Sequence, residues 1–232
     1  MRFSERSRSI LLVVLTVLCA GLITWSGIVY GQKFYRMLPL YVSLVIGFLQ
    51  SRASRYAPLL GSLNCLVYTA VYFGLGLYAS AANAFFISFP LQMLTFLRWK
   101  KRAYKHSTQF RKLSVKQWIL GGLAFAAVFT ASNLILSALD SGYAFLDSAA
   151  ALLDVLVNIL RLLAFREYSW IMFISGGTAI ALNSSMLPQR PSQITFVIYA
   201  IHSFICIVIQ FFSVRRLYAE QRKELFYEND PT

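Results

Sequence analysis

Four polar side chains share one face of a stretch apolar enough to cross a membrane, Phe145 to Phe173, FLDSAAALLDVLVNILRLLAFREYSWIMF. They are Asp147, Asp154, Asn158 and Arg161, at i, i+7, i+11 and i+14, and a helix brings all four close to one side. A charge at the centre of a bilayer costs roughly 2.5–3.5 kcal/mol on insertion scales. Groups of that cost line a water-filled path or a ligand site, or else they lock helices together. The stripe is read first as path lining, with a lock formed by Asp154, Asn158 and Arg161 as the alternative. Asp147 and Asp154 are seven residues apart, about 10 Å along a helix. That spacing suits two contact points on a path better than an acid pair acting on one bond.

The remaining candidates point to binding. The sequence has no phosphate loop, zinc spacing or nucleophile motif, and two histidines, His106 and His202, are too few for a metal cluster. Ser175-Gly176-Gly177 lacks a nearby His/Asp set for hydrolysis. The expectation is therefore a non-enzyme without cofactor or metal. A flat polar solute needs apolar faces and a few hydrogen-bonding groups. Trp170 and Phe173 supply faces, as do Tyr68 and Tyr72, for which packing or an interfacial belt is the plainer role. Asn64, Gln92, Asp147, Asp154, Asn158 and His202 supply polar contacts, although His202 also suits simple packing and Arg161 simple snorkelling.

These residues must be positioned by membrane helices. Of 232 residues, 58% are hydrophobic and 13% charged, with mean hydropathy +0.60. Soluble domains run near 45–50% apolar and about 25% charged. The length holds about seven or eight spans of ~20 residues and leaves no room for a soluble domain. Long continuous apolar runs exclude the alternation of an outer-membrane barrel. Cys19, Cys65 and Cys206 sit singly in apolar runs and read as small buried hydrophobes.

The runs are Ser9–Tyr30, Met37–Gln50, Pro58–Tyr78, Ala84–Leu97, Gln117–Leu139, Ala144–Phe165, Ser169–Leu187 and Ser192–Val214. The first exceeds the 7–15-residue core of a cleaved signal and is read as a span. Pro39 suits a first turn, whereas Pro90 marks a kink or cavity-lining break. Basic residues concentrate in the N-tail, 51–56, 98–116, Arg166 and the C-tail, 18 against Lys33, Arg36 and Arg190 on the other side. The positive-inside rule then places both termini in the cytoplasm of a multi-pass cell (inner or plasma) membrane protein. The charge excess is explained by these loops, so nucleic acid is not expected as a partner. In helices two to four the first two members join by a short basic link, SRASR, and in helices six to eight they join through FREYS in the same way. Helix five inverts the chain between the triplets. Parallel repeats of that kind are a transporter plan with the site at the repeat interface.

From about Ile46 onward the chain resembles the Pnu-type vitamin transporters. The resemblance rests on IGFLQSRASRYAPLLGSLN, on GLYAS beyond it, on the FLDS start of helix six and on Trp170 at the start of helix seven. It implies an all-α, SWEET-like 3+1+3 bundle of seven spans plus one extra N-terminal transmembrane helix. The organisation expected is residues 1–36 for the tail and extra helix, 37–216 for the seven-helix core and 217–232 for a cytoplasmic tail. It further implies facilitated uptake of nicotinamide riboside or a related vitamin or nucleoside-like solute by alternating access, with trapping by cytosolic phosphorylation. A homo-trimer in membrane lipid is implied as well. In place of the family's Trp-x-x-Trp-x-x-x-Asn pattern stand Trp170, Phe173 and Gly177, and Asp154 and Arg161 lie outside the family pattern. Other functions open to the sequence are a vitamin-capture subunit of an energy-coupled importer and a proton-coupled carrier using Asp154.

Overall fold

Every ring of packed helices has seams, and the seams here are set by which links are short. The computed structural model describes residues 5–74, 81, 84–138 and 144–229. Among these, eight α-helices follow in order: α1 (Glu5–Val29), α2 (Phe34–Ser51), α3 (Tyr56–Gly74), α4 (Phe89–Lys101), α5 (Val115–Ala138), α6 (Ala144–Leu162), α7 (Tyr168–Met186) and α8 (Ile194–Asn229). A π-helical turn, Ala84–Ser88, precedes α4, so Pro90 lies at the junction of the two. The protein is an all-α membrane protein apart from one small hairpin, β1 (Ala103–Tyr104) and β2 (Ser107–Thr108). Ser9–Val29, Val115–Ile135 and Pro191–Glu224 are long and apolar enough to cross a bilayer on composition alone. The other helices are shorter or carry polar groups.

Six helices close into a ring. Packing runs α2–α3–α4 in one triplet and α6–α7–α8 in the other, with α2 against α8 and α4 against α6 at the two seams. Outside this ring, α5 packs on α6, and α1 lies across the α2/α8 seam. The faces of α5 are exposed along its length, including Leu120, Leu123, Leu134 and Ile135, as expected of a helix whose surroundings are lipid.

Links 51–55, 102–114 and 163–167 meet at one end, here termed the basic end. Arg55 N–H donates to His106 O at 3.0 Å, and Arg111 N–H donates to Ala164 O at 2.9 Å. Two of these links have the same turn. Past the end of α2, Ala53 is left-handed at φ 50°, and past the end of α6, Ala164 is left-handed at φ 58°. Ser54 N–H reaches back to Leu49 O at 3.1 Å, as Phe165 N–H does to Leu160 O at 2.9 Å. Both satisfy carbonyls that a helix end leaves unpaired.

The basic end is also filled. Trp99, Phe110, Val157, Leu160, Tyr168, Val214 and Leu217 form one buried cluster drawn from both triplets and the loop. Gln221 fastens the loop to α8: its Nε2 donates to Thr108 O at 2.8 Å and its Oε1 accepts from Phe110 N–H at 3.1 Å. Lys105 pairs with Glu220 at 2.7 Å, and that carboxylate holds the Lys105 ammonium above the ordinary lysine range. These contacts explain why α8 continues for 36 residues, about 54 Å and well beyond a ~30 Å hydrocarbon core. The expected boundary at 216–217 therefore falls inside a continuous helix.

The extra N-terminal helix is held by polar contacts. Thr16 Oγ1 lies 3.1 Å from His202 Nε2, Thr24 Oγ1 lies 2.7 Å from Tyr41 OH, and Ser26 Oγ lies 3.0 Å from Thr195 Oγ1. Between helices in lipid such bonds and close packing replace the hydrophobic effect. Cys19 and Ile23 pack with Leu40 and Leu44 beneath them.

Candidate functional site

Helical spacing on α7 and α8 builds a concave wall inside the ring. Gly176, Ala179 and Asn183 recur at i, i+3 and i+7, and Phe196, Tyr199, Ala200 and Ser203 recur at i, i+3, i+4 and i+7. Together with Leu40 of α2 and Tyr68 of α3 they line a pocket of about 160 Å³. Its walls come from both triplets. It lies toward the end opposite the basic cluster, since Asn183 is near the end of α7 and Phe196 near the start of α8. The volume is below the roughly 300–1,000 Å³ of sites for drug-sized ligands.

Small residues make the wall close enough to work. A Cβ on Gly176 would meet Phe204 and Ile207 side chains at 3.0 Å, whereas one on Gly177 would meet nothing within 4 Å. The glycine at 176 therefore sets the approach of α7 to α8.

Asp154 looks into the ring. The neighbours of α6 are α4, α5 and α7, and the Asp154 carboxylate lies within electrostatic reach of Arg161 on its own helix as well as of Cys65 on α3 and Tyr199 on α8. Asp154 is exposed, and its Oδ2 accepts a hydrogen bond from Asn158 Nδ2 at 3.1 Å. The Tyr199 hydroxyl, which lines the pocket, also faces Ser43 and Ser203.

Below that level the interior is plugged. Arg161 is 4% exposed, with its guanidinium 5.7 Å from the Trp99 ring centroid and its Nε unpartnered. Trp99 Nε1 donates to Arg161 O at 2.8 Å, which joins α4 to α6. At the other seam Ser213 Oγ of α8 donates to Ser51 O of α2 at 2.9 Å. Gln210 Nε2 donates to Tyr168 OH at 2.8 Å while its own Oε1 has no partner.

The sequence candidates separate into groups. Tyr68 lines the pocket, whereas Asp154 and Asn158 are bonded to each other on α6 and are not among its lining residues. Asn64 instead ties α3 to α2, donating to Ser43 Oγ at 2.9 Å and Pro39 O at 3.2 Å, with its Oδ1 unpartnered. Gln92 donates to Cys65 Sγ at 3.3 Å and lies against Gly61, where a Cβ would strike its carboxamide. Trp170 is 49% exposed and stacks edge-on against Phe211 at 4.8 Å, while Phe173 packs on Phe204 at 4.8 Å. Neither is among the pocket's lining residues. His202 faces α1 through Thr16. The side chains of Tyr72 and Asp147 lie outside the described residues. Leu40, Ala179, Asn183, Phe196, Tyr199, Ala200 and Ser203 complete the pocket without having been singled out as contacts. The signal available for them was helical periodicity around the small run 175–178.

Comparison with known proteins agrees with this architecture. The family model described as nicotinamide mononucleotide transporter matches residues 34–213. A crystal structure of the vitamin B3 transporter PnuC matches with TM-score 0.72 and 14% identity over 94% of each chain. No curated protein matches.

Proposed function

The chain belongs to the nicotinamide mononucleotide transporter family, and from that premise we propose that it carries a nicotinamide-bearing solute across the membrane. The solute is nicotinamide riboside or a close vitamin or nucleoside-like relative. The carrying observation is the pocket between the two helix triplets, the place where repeat-built transporters hold their solute. In this reading α2–α4 and α6–α8 are the two arms of a SWEET-like 3+1+3 bundle, α5 is the inverting helix and α1 is an added span. Eight spans then put both termini on the basic, cytoplasmic side.

Alternating access follows from the same frame. The basic end is closed by the Trp99–Tyr168–Phe110 cluster, so the pocket opens away from the cytoplasm in this conformation. Separating α4 from α6 there, and bringing the outer ends together, would release the solute inward. Uptake is facilitated diffusion, and cytosolic phosphorylation of the solute traps it. Tyr68, Tyr199 and Phe196 offer faces to the ring, while Asn183, Ser203, Asp154 and Asn158 offer polar contacts. Tyr72 and Asp147 remain proposed contacts on the same two helix faces. Asn64, Gln92 and His202 support the helices that carry the pocket.

Purified protein in liposomes tests the reading with labelled nicotinamide riboside. Saturable entry without ATP that survives an uncoupler supports facilitated transport. Loss of entry on collapsing a proton gradient would favour the second reading, a proton-coupled carrier. The observation behind that reading is that Asp154 forms no ion pair among the described residues.

A further inference from the structure

We propose that the hairpin between α4 and α5 is the moving jaw of the inner gate, and that Gln221 and Glu220 on the extension of α8 latch it shut. That assignment rests on the transporter reading above and concerns the step that releases the solute inward. The loop 102–114 divides into two parts with different anchors. The hairpin, β1 and β2, belongs with the first triplet. Its stem is tied to the end of α4, where Arg102 O accepts from Gln109 N–H at 2.9 Å and from Thr108 Oγ1 at 3.1 Å. Its turn is tied to the α2–α3 link, where His106 O accepts from Arg55 N–H at 3.0 Å and His106 Nε2 lies 2.9 Å from Arg52 O.

The segment that follows belongs with the second triplet. Arg111 N–H donates to Ala164 O, and Arg111 O accepts from Arg166 N–H, both at 2.9 Å. Leu113 N–H donates to Glu167 Oε2 at 3.2 Å. Phe110 is buried and packs its ring against Tyr168 at the start of α7 and Trp99 of α4, with centroids 6.1 and 5.8 Å away. The boundary between the two sets of anchors falls at Gln109–Phe110. When the triplets part there, Trp99 leaves with α4 and Phe110 stays on Tyr168.

Gln221 spans that boundary. Its Nε2 donates to Thr108 O on the hairpin at 2.8 Å, and its Oε1 accepts from Phe110 N–H at 3.1 Å. The side chain is buried, where a hydrogen bond is stronger than in water. Next to it, Glu220 adds an outer contact by pairing with Lys105 of the hairpin turn at 2.7 Å, and Glu224 lies 4.0 Å from the same ammonium. Carrying the hairpin away with α4 breaks the Thr108 bond and the Lys105 pair while sparing every anchor of the segment 110–113. An exposed ion pair costs little to open, so Gln221 is the stronger part of the latch. An α8 that ended at the membrane surface would offer neither contact.

Two cysteine pairs test which way the hairpin moves. The native thiols are buried, so a cleavable bifunctional thiol reagent acts on the introduced pair. Lys105→Cys with Glu220→Cys lets it tie the hairpin to α8, and Arg52→Cys with His106→Cys lets it tie the hairpin to the α2–α3 link. Entry of labelled nicotinamide riboside into liposomes is expected to fall about tenfold or more with the first tether and to recover on its cleavage, but to stay within about twofold with the second. Full entry with the first tether in place would overturn the proposal, as would loss of entry with the second. Gln221→Glu reads the latch separately, because its carboxylate still accepts from Phe110 N–H but cannot donate to Thr108 O. In inside-out vesicles it is expected to speed labelling of Ser203→Cys by a membrane-impermeant thiol reagent about fivefold, with the outer solute concentration for half-maximal entry unchanged. Labelling at the wild-type rate would overturn the role of Gln221. The tether comparison stands even if that variant does not fold. No entry of the solute before tethering would overturn the transporter reading itself and the inference with it.

Discussion

Ala53 and Ala164 hold the same left-handed backbone, φ 50° and 58°, each two residues past the end of a helix that opens a triplet. Each is buried to 1% exposure, and each is followed by the same backward hydrogen bond to the helix. A shift that carries Ala53 onto Ala164 also carries Tyr68 onto Ala179, and both of these line the pocket. The likeness of the two triplets is thus recorded in their turns as well as in their order. A left-handed alanine costs roughly 1–2 kcal/mol, which glycine avoids. Ala53→Gly and Ala164→Gly are expected to leave the thermal midpoint unchanged or raised, whereas valine at either site lowers it. Melting curves of the four variants in detergent check this, and unequal responses at the two sites would break the correspondence.

The α4/α6 seam rests on the Trp99 indole bonded to the Arg161 carbonyl. Trp99→Phe keeps most of the packing and removes the donor, leaving a buried carbonyl unpaired at a cost of about 1–3 kcal/mol. A lower thermal midpoint is expected. In the proposed alternating access the same seam parts for inward release, so the rate of solute exchange is expected to change with it. Stopped-flow exchange from loaded liposomes measures that rate.

Ala179 contributes one methyl group to the wall. Ala179→Leu puts bulk into a pocket of about 160 Å³ without touching the seams. Uptake is expected to fall by about tenfold or more, a loss of at least about 1.4 kcal/mol in solute binding. The melting curve without solute is expected to stay close to wild type, and the shift produced by added solute to vanish.

Thr16 and His202 join α1 to the ring. Thr16→Val removes that bond, and hydrogen bonds between membrane helices average about 0.6 kcal/mol. A small loss of stability is expected with the solute concentration for half-maximal uptake unchanged. A change in that concentration would instead place His202 in contact with the solute.

What the sequence made legible was set by cost and period. Asp154 and Asn158 were visible because polar groups in an apolar helix are expensive, and a hydrogen bond joins the two. Helix order and number followed from apolar runs bounded by basic links. The pocket wall was less legible because Ala179, Ala200 and Ser203 are small residues whose role depends on which helix stands opposite. Asn64 and His202 carried the same cost signal as Asp154, yet their partners are Ser43 and Thr16 on neighbouring helices. Periodicity assigns a face, and only packing tells whether that face meets a helix or a cavity. The continuation of α8 past residue 216 was hidden because its anchors, Thr108 and Phe110, lie more than a hundred residues earlier.

The central claim is that the solute occupies the pocket between the triplets, and Ser203 reports on it. The native thiols, Cys19, Cys65 and Cys206, are free and buried, so a cysteine placed by Ser203→Cys offers the accessible site for a membrane-impermeant thiol reagent. Labelling from the outer face that nicotinamide riboside suppresses in proportion to its occupancy is the predicted result. Labelling that proceeds unchanged at solute concentrations that saturate uptake would contradict the account.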